Sequence, residues 1–284
     1  MERGEDEVKL RRFAMRDVPS ARRLSAAVGW AHREEDWAFV RALGSGWVAV
    51  AGGEVVGTAL TWRHDARHGS IGMVIVEPGW QGRGIGRRLV ERALEDLGDR
   101  SITLNGTLEG RSLYERLGFR VVGALDQHQG VSGNVPPVKL GRDERLRPAT
   151  PSDMALLVRL GLAASGIRRG KLMRALLDES EGIVLDRGTE ALGFALCRRF
   201  GHGRVIGPVV APDANRAKAL IGHWIATHAG TFLRTDVEPS LGLGPWLEGL
   251  GLRRVDGALT MSRGEAPVRR GDVTAFAVVN QALG

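Results

Sequence analysis

Residues 71–97 read IGMVIVEPGWQGRGIGRRLVERALEDL: an apolar strand, a proline stop, a glycine-rich turn and an amphipathic helix, in that order. Val74, Ile75 and Val76 are β-branched, and Pro78 ends the run because it has no N–H to give a ladder. Gln81-Gly82-Arg83-Gly84-Ile85-Gly86 follows, and Leu89, Val90, Ala93, Leu94 and Leu97 then recur at helical spacing. A turn poor in side chains at the mouth of a helix lets backbone N–H groups approach an anion, and the helix dipole adds positive charge there. The segment therefore predicts a phosphate pocket.

Two common phosphate motifs do not fit. A Walker turn ends in Gly-Lys-Ser/Thr, whereas Gly86 is followed by Arg87-Arg88. The dinucleotide fingerprint needs a third glycine where Leu89 stands, and no clear strand-end acid follows at the expected distance. Gln81, Gly84 and Gly86, after the strand end Val76-Glu77-Pro78, resemble the acyl-coenzyme A signature of the GNAT superfamily of N-acetyltransferases. Downstream, Leu113-Tyr114-Glu115-Arg116-Leu117-Gly118-Phe119 is similar to that superfamily's Leu-Tyr-x-x-x-Gly-Phe ending. Two positions depart from the pattern: Thr107 and Gly110 stand where the superfamily commonly has Asn and Ala.

The resemblance implies acetyl-CoA as cofactor and N-acetyl transfer to a small-molecule or peptide amine by direct attack. It implies that the backbone of Val74, Ile75 and Val76 pairs with the pantetheine arm. Gln81, Gly82, Arg83, Gly84, Ile85, Gly86 and Arg87 then hold the pyrophosphate. Tyr114, the only tyrosine in the chain, protonates the departing thiolate. Taken on its own, Tyr114 also reads as a packing aromatic with a polar tip. A non-catalytic acyl-CoA sensor or scaffold is the alternative, and such a protein has no need of a proton donor there.

An internal repeat sets the architecture. Leu10-Arg11…Asp17 aligns with Leu146-Arg147…Asp153, and the hairpin around Gly52-Gly53 with that around Gly188-Thr189. Val76-Glu77-Pro78 meets Val210-Ala211-Pro212, and Glu115–Phe119 meets Glu248–Leu252. The expectation is an α/β (α+β) chain of two tandem GNAT-like domains, each a twisted, mixed, mostly antiparallel sheet flanked by helices. Residues 1–140 form the catalytic domain, 141–263 a degenerate copy, and 264–284 a tail with a short helix over Val273–Leu283. By alignment, Asn215–Leu220 replaces the glycine turn and Leu247 replaces Tyr114, so one coenzyme A site per chain is expected.

In the first half, strands are expected near 8–13, 46–51, 54–63, 70–77, 101–104 and 119–125, with helices near 17–27, 33–42, 84–97 and 110–116. The segment Val28–Trp37, with two tryptophans flanking three acids, reads as a helix start or as an amine-binding strip. His64, Asp65, His68 and Glu77, or a water held by backbone carbonyls, are the candidate general bases.

Composition narrows the remaining classes. One cysteine, Cys197, excludes an intramolecular disulfide or a cysteine metal cluster, and no metal is expected. Net charge is +7, but the chain has only four lysines and its arginines are scattered, a pattern of GC-rich bacterial coding rather than of nucleic-acid binding. The positive balance suits attraction of polyanionic coenzyme A. No apolar run reaches the ~20 residues of a bilayer span and no signal core opens the chain, so a cytoplasmic protein without membrane association is expected, as monomer or homodimer.

Overall fold

The structure is a computed structural model that describes residues 7–133 and 135–284. The first half runs β1 (Lys9–Arg12), α1 (Val18–Ala27), α2 (Glu34–Leu43), β2 (Ser45–Ala51), β3 (Glu54–Arg63), β4 (His68–Val76), α3 (Ile85–Leu97), β5 (Ser101–Gly106), α4 (Arg111–Arg116) and β6 (Arg120–Val131). The second repeats this order as β7 (Glu144–Pro148), α5 (Met154–Ser165), α6 (Gly170–Glu179), β8 (Glu181–Arg187), β9 (Glu190–Phe200), β10 (Gly203–Ala211), α7 (Ala214–Thr227), β11 (Phe232–Val237), α8 (Gly244–Gly249) and β12 (Arg253–Arg263). A last strand, β13 (Thr274–Ala277), stands in place of the helix expected over 273–283. Glu144, close to the expected start of the second domain, is already the first residue of β7 and pairs with Arg187.

The thirteen strands of the described residues form one mixed sheet in the order β1-β2-β3-β4-β5-β12-β6-β11-β13-β10-β9-β8-β7. The final strands of the two halves are exchanged. β12 pairs with β5 of the first half, β6 pairs with β11 of the second, and β6 and β12 pair with each other between them. β6, with 12 residues, runs well past the strand expected over 119–125, because its polar continuation Asp126–Val131 is the part that pairs with β11.

Both halves share a core on one face of this sheet, where Leu24, Trp37 and Val40 from α1 and α2 meet Leu157, Leu172 and Leu176 from α5 and α6. On the other face each half has its own core. The α3 stripe predicted from the sequence is realised there, with Leu89, Val90, Ala93 and Leu97 fully buried. A side chain at 3.6-residue spacing gains most by facing the sheet, and Gly98 at φ +60° ends the helix.

Two parallel strand pairs, one per half, break the antiparallel pattern, and each pair splays. β4 and β5 are hydrogen-bonded only over His68–Ser70 with Ser101–Thr103. Beyond that point β4 carries a bulge. Its register against β3 shifts past Leu60, and Met73 has φ +53°, the only positive value among the described non-glycine residues. A bulge bends its strand. Thr58 on β3 fixes this one by donating to the Met73 carbonyl at 2.7 Å.

Candidate functional site

The glycine turn lies at the open end of the β4/β5 split. Gly82 (φ +75°) and Gly84 (φ +74°) hold left-handed conformations that side chains disfavour, and no atom lies within 4 Å of where their Cβ atoms would be. Gly84 is the N-cap of α3. Among the described residues, no acceptor takes the N–H groups of Gly82 to Arg87; the first bond of the helix runs from Arg88 N to Gly84 O at 3.1 Å. Six consecutive donors therefore face outward at the positive end of a 13-residue helix.

The predicted cofactor residues divide by role. Val74, Val76, Gln81, Gly82, Gly84, Ile85, Gly86 and Arg87 line one cavity of about 860 Å³. Gln81 Nε2 donates to the Val76 carbonyl at 3.0 Å, bracing the turn against the strand end. Arg87 also pairs with Glu91 one turn along, at 2.8 Å. Ile75 does not line the cavity: its side chain packs into the shared core on the opposite face. Arg83 also lies outside the lining, its guanidinium stacked over Trp80 at 4.6 Å.

Tyr114 reaches the same cavity from α4. Its ring is buried, sits edge-on to Phe119 at 6.0 Å, and burial pushes its hydroxyl up to about 12. The departure at Gly110 has a steric reason here. A methyl group at Gly110 would stand 3.0 Å from Tyr114 Cε2, and one at Gly106 only 2.7 Å away. Thr107, the other departure, accepts the Gly110 N–H at 3.3 Å and helps turn the chain into α4.

The acceptor-side predictions fare differently. None of His64, Asp65, His68 or Glu77 lines the cavity. His64 bonds Ser70 at 2.9 Å, and burial first, with the Arg169 charge second, holds its imidazole down to about 3. Asp65 and His68 are bonded to each other at the β3–β4 turn. The amine-binding strip does not form, because Trp37 is fully buried and Asp36 is spent on Arg33 and the Gly201 N–H. Gly29, Trp30, Ala31 and His32 from that segment do line the cavity.

Sequence reading missed the part of the wall that comes from the far end of the chain. Phe200, His202 and Arg234 of the second half, Gln127 and Gln129 of β6, and Asn280–Ala282 of the tail all border the cavity. Asn105 on β5 anchors the tail by donating to the Gln281 carbonyl at 2.9 Å. Polar alternation along Asp126–Val131 was the available signal for the β6 residues; the others are brought in by tertiary structure alone.

The equivalent split in the second half is closed. β10 and β11 pair only over Arg204–Val205 with Leu233–Arg234, and β13 then fills the wedge, antiparallel to both neighbours. Helix α7 starts directly at its N-cap Asp213, whose carboxylate accepts the Arg216 N–H at 2.9 Å. The residues aligned with the glycine turn, Asn215 to Leu220, lie inside α7, so the turn is deleted rather than substituted. Leu247 does occupy the place of Tyr114, fourth in α8 as Tyr114 is fourth in α4.

Comparison with known proteins agrees with this geometry. The family description "Acetyltransferase (GNAT) domain" matches residues 42–121 and, separately, residues 157–277. An uncharacterised N-acetyltransferase of Bacillus subtilis, YitH, is 29% identical over 220 residues, 76% of each chain. A putative acetyltransferase of Pyrococcus horikoshii shares the fold with a TM-score of 0.79 at 18% identity, over 99% of this chain and 97% of that one. A tandem GNAT protein from the clavulanic acid biosynthesis pathway does so at 0.66 and 15%, over 92% of this chain and all of that one. Two GNAT domains on one chain, joined through a common sheet, make this protein a tandem-domain member of the GNAT superfamily of acetyltransferases.

Proposed function

We propose that the protein is an acyl-CoA-dependent N-acyltransferase that moves an acetyl group from acetyl-CoA to a small-molecule or peptide amine by direct attack in a ternary complex. The observation that carries this reading is the continuity of three elements in one cavity: the unpartnered amide turn, the open β4 edge and Tyr114. The turn fits a pyrophosphate, because its donors lack acceptors and the space over Gly82 and Gly84 is open. Beyond Ser70, the β5-facing edge of β4 has no strand partner, which leaves backbone groups free for the amides of a pantetheine arm. When bound, acetyl-CoA supplies the activated thioester.

The chain's own residues then hold and polarise. Amides of the turn and the positive end of α3 would hold the phosphates, and the unpaired edge of β4 beyond Ser70 would hold the arm that carries the thioester. Tyr114 stays protonated throughout the neutral range. With its pKa near 12 it is a weaker acid than a thiol, so its contribution is a hydrogen bond to sulfur as negative charge develops there. Direct attack is favoured over a cysteine-bound acyl group because the single cysteine, Cys197, is buried in the second half's core and does not line the cavity.

Calorimetric titration with coenzyme A, followed by acetyl-CoA turnover against an amine panel, tests the reading. Saturable binding at one site with amine-dependent thiol release is the expected result. Binding without turnover for any amine would move the protein to the sensor class.

A further inference from the structure

On the acceptor side, the floor of the cavity is a polar platform that crosses the exchanged strands. Arg234 on β11 stands directly opposite Gln129 on β6, and Asp236 opposite Gln127, so these four residues share one face of the sheet. Arg234 is held from behind. Its Nε and Nη2 donate to the fully buried Asp236 carboxylate at 2.9–3.2 Å, and its guanidinium lies over the Phe200 ring at 5.3 Å. Its Nη1 donates to nothing among the described residues, and the residue borders the cavity. Beside it, Gln127 Nε2 donates to Gln129 Oε1 at 2.9 Å, which leaves the Gln129 amide hydrogens unused.

We infer that Arg234 determines specificity for an amine acceptor that carries a carboxylate, with Gln129 as its partner donor. This rests on the acyl-transfer reading and adds the substrate class. A guanidinium whose plane is fixed by a buried carboxylate and an aromatic face loses little freedom on gripping a second oxyanion. Arg234 and Asp236 balance each other, so a zwitterionic acceptor, whose carboxylate meets the guanidinium while its ammonium stays on the same molecule, adds no net charge to the platform. Asp256 on β12, in register with Gln127 on the same face, also borders the cavity, and its Oδ1 is taken by the Gly257 N–H at 2.7 Å.

The test uses the whole protein at saturating acetyl-CoA with amino acids and their α-amides as matched acceptors. Wild type should favour the acid over its amide by 10-fold or more in kcat/KM. Arg234→Ala should raise KM for the acid roughly 10²-fold, in line with a charged hydrogen bond, with the amide and coenzyme A affinity unmoved. Because that change strands Asp236, Gln129→Met provides a milder variant, expected to raise KM for the acid several-fold while leaving the ion pair intact. Equal use of acid and amide by wild type, no turnover of any carboxylate-bearing amine, or an unchanged acid-to-amide ratio in both variants would overturn the inference. Coenzyme A titration without acceptor separates these outcomes: if wild type binds none, the acyl-transfer reading fails and takes this inference with it.

Discussion

The two halves descend from one plan and differ at two places. In the first, helix α3 opens on a glycine turn with six free donors, and the β4/β5 split stays open. In the second, Asp213 puts a carboxylate on the start of α7, and β13 lies in the β10/β11 split. Each replacement stands where the proposed cofactor would lie in the first half: a carboxylate in place of a phosphate at a helix N-terminus, and a peptide strand in place of an extended arm of amides. The chain supplies its own occupants, and the second half thereby becomes wall and floor for the first.

The sharpest way to break this comparison is at the turn. Gly84→Val with Gly86→Val should abolish coenzyme A binding, a loss beyond 10³-fold, while circular dichroism stays that of wild type; binding that survives would reduce the turn to a loop. Next in size, Phe276→Ala removes a buried ring from the strand that plugs the second split and should cost about 3–5 kcal/mol in denaturant unfolding. A loss under 1 kcal/mol would mean the plug is loosely seated. Tyr114→Phe should keep cofactor affinity and lower kcat by roughly 10²-fold in steady-state assays. An unchanged kcat would leave Tyr114 a packing residue like Leu247.

Acid should act through the first half. Burial holds His32 down to about 4 and His64 to about 3. The unfolded chain takes up these protons first, from about pH 6.5 downward. Stability complete above that pH should therefore fall by ~1.4 kcal/mol per unit and per histidine, until about pH 4 for His32 and about pH 3 for His64. Urea unfolding across pH 7 to 4 checks this, and His64→Gln should flatten the slope. The smallest effect belongs to Asp213→Ala, about 1 kcal/mol for a lost N-cap, with coenzyme A stoichiometry still one per chain. A second binding event in that variant would show that the carboxylate alone closes the second site.

The first half's site was legible because its signals are local. A glycine turn before an amphipathic helix dictates both backbone and charge, and Tyr114 is placed by the short helix that Gly118 ends. The second half was legible as a fold by repetition, and Leu247 was placed correctly. Its turn was not, because a deletion next to a helix aligns as well with substitution as with loss. The tail misled for another reason: Val273–Leu283 is a short apolar run with no clear period, and such runs do not distinguish strand from helix. Strand exchange left no trace in sequence at all, since β6 and β12 present the same alternation to either partner. The acceptor floor follows from that exchange, so Arg234, Gln127 and Gln129 could not have been joined to Tyr114 by reading along the chain.

The exchanged strands also govern how the molecule is assembled. During synthesis the first half emerges complete in sequence but with the place beside β5 empty, because β12 ends only at Arg263. Until β12 has left the ribosome, β5 lacks its neighbour on that side, and closure depends on contacts between residues more than a hundred positions apart, the kind that form slowly. Once closed, the arrangement is a clasp. A protease that nicks the connection between β6 and β7 would leave two fragments still held by the pairing of β6 with β11 and of β12 with β5.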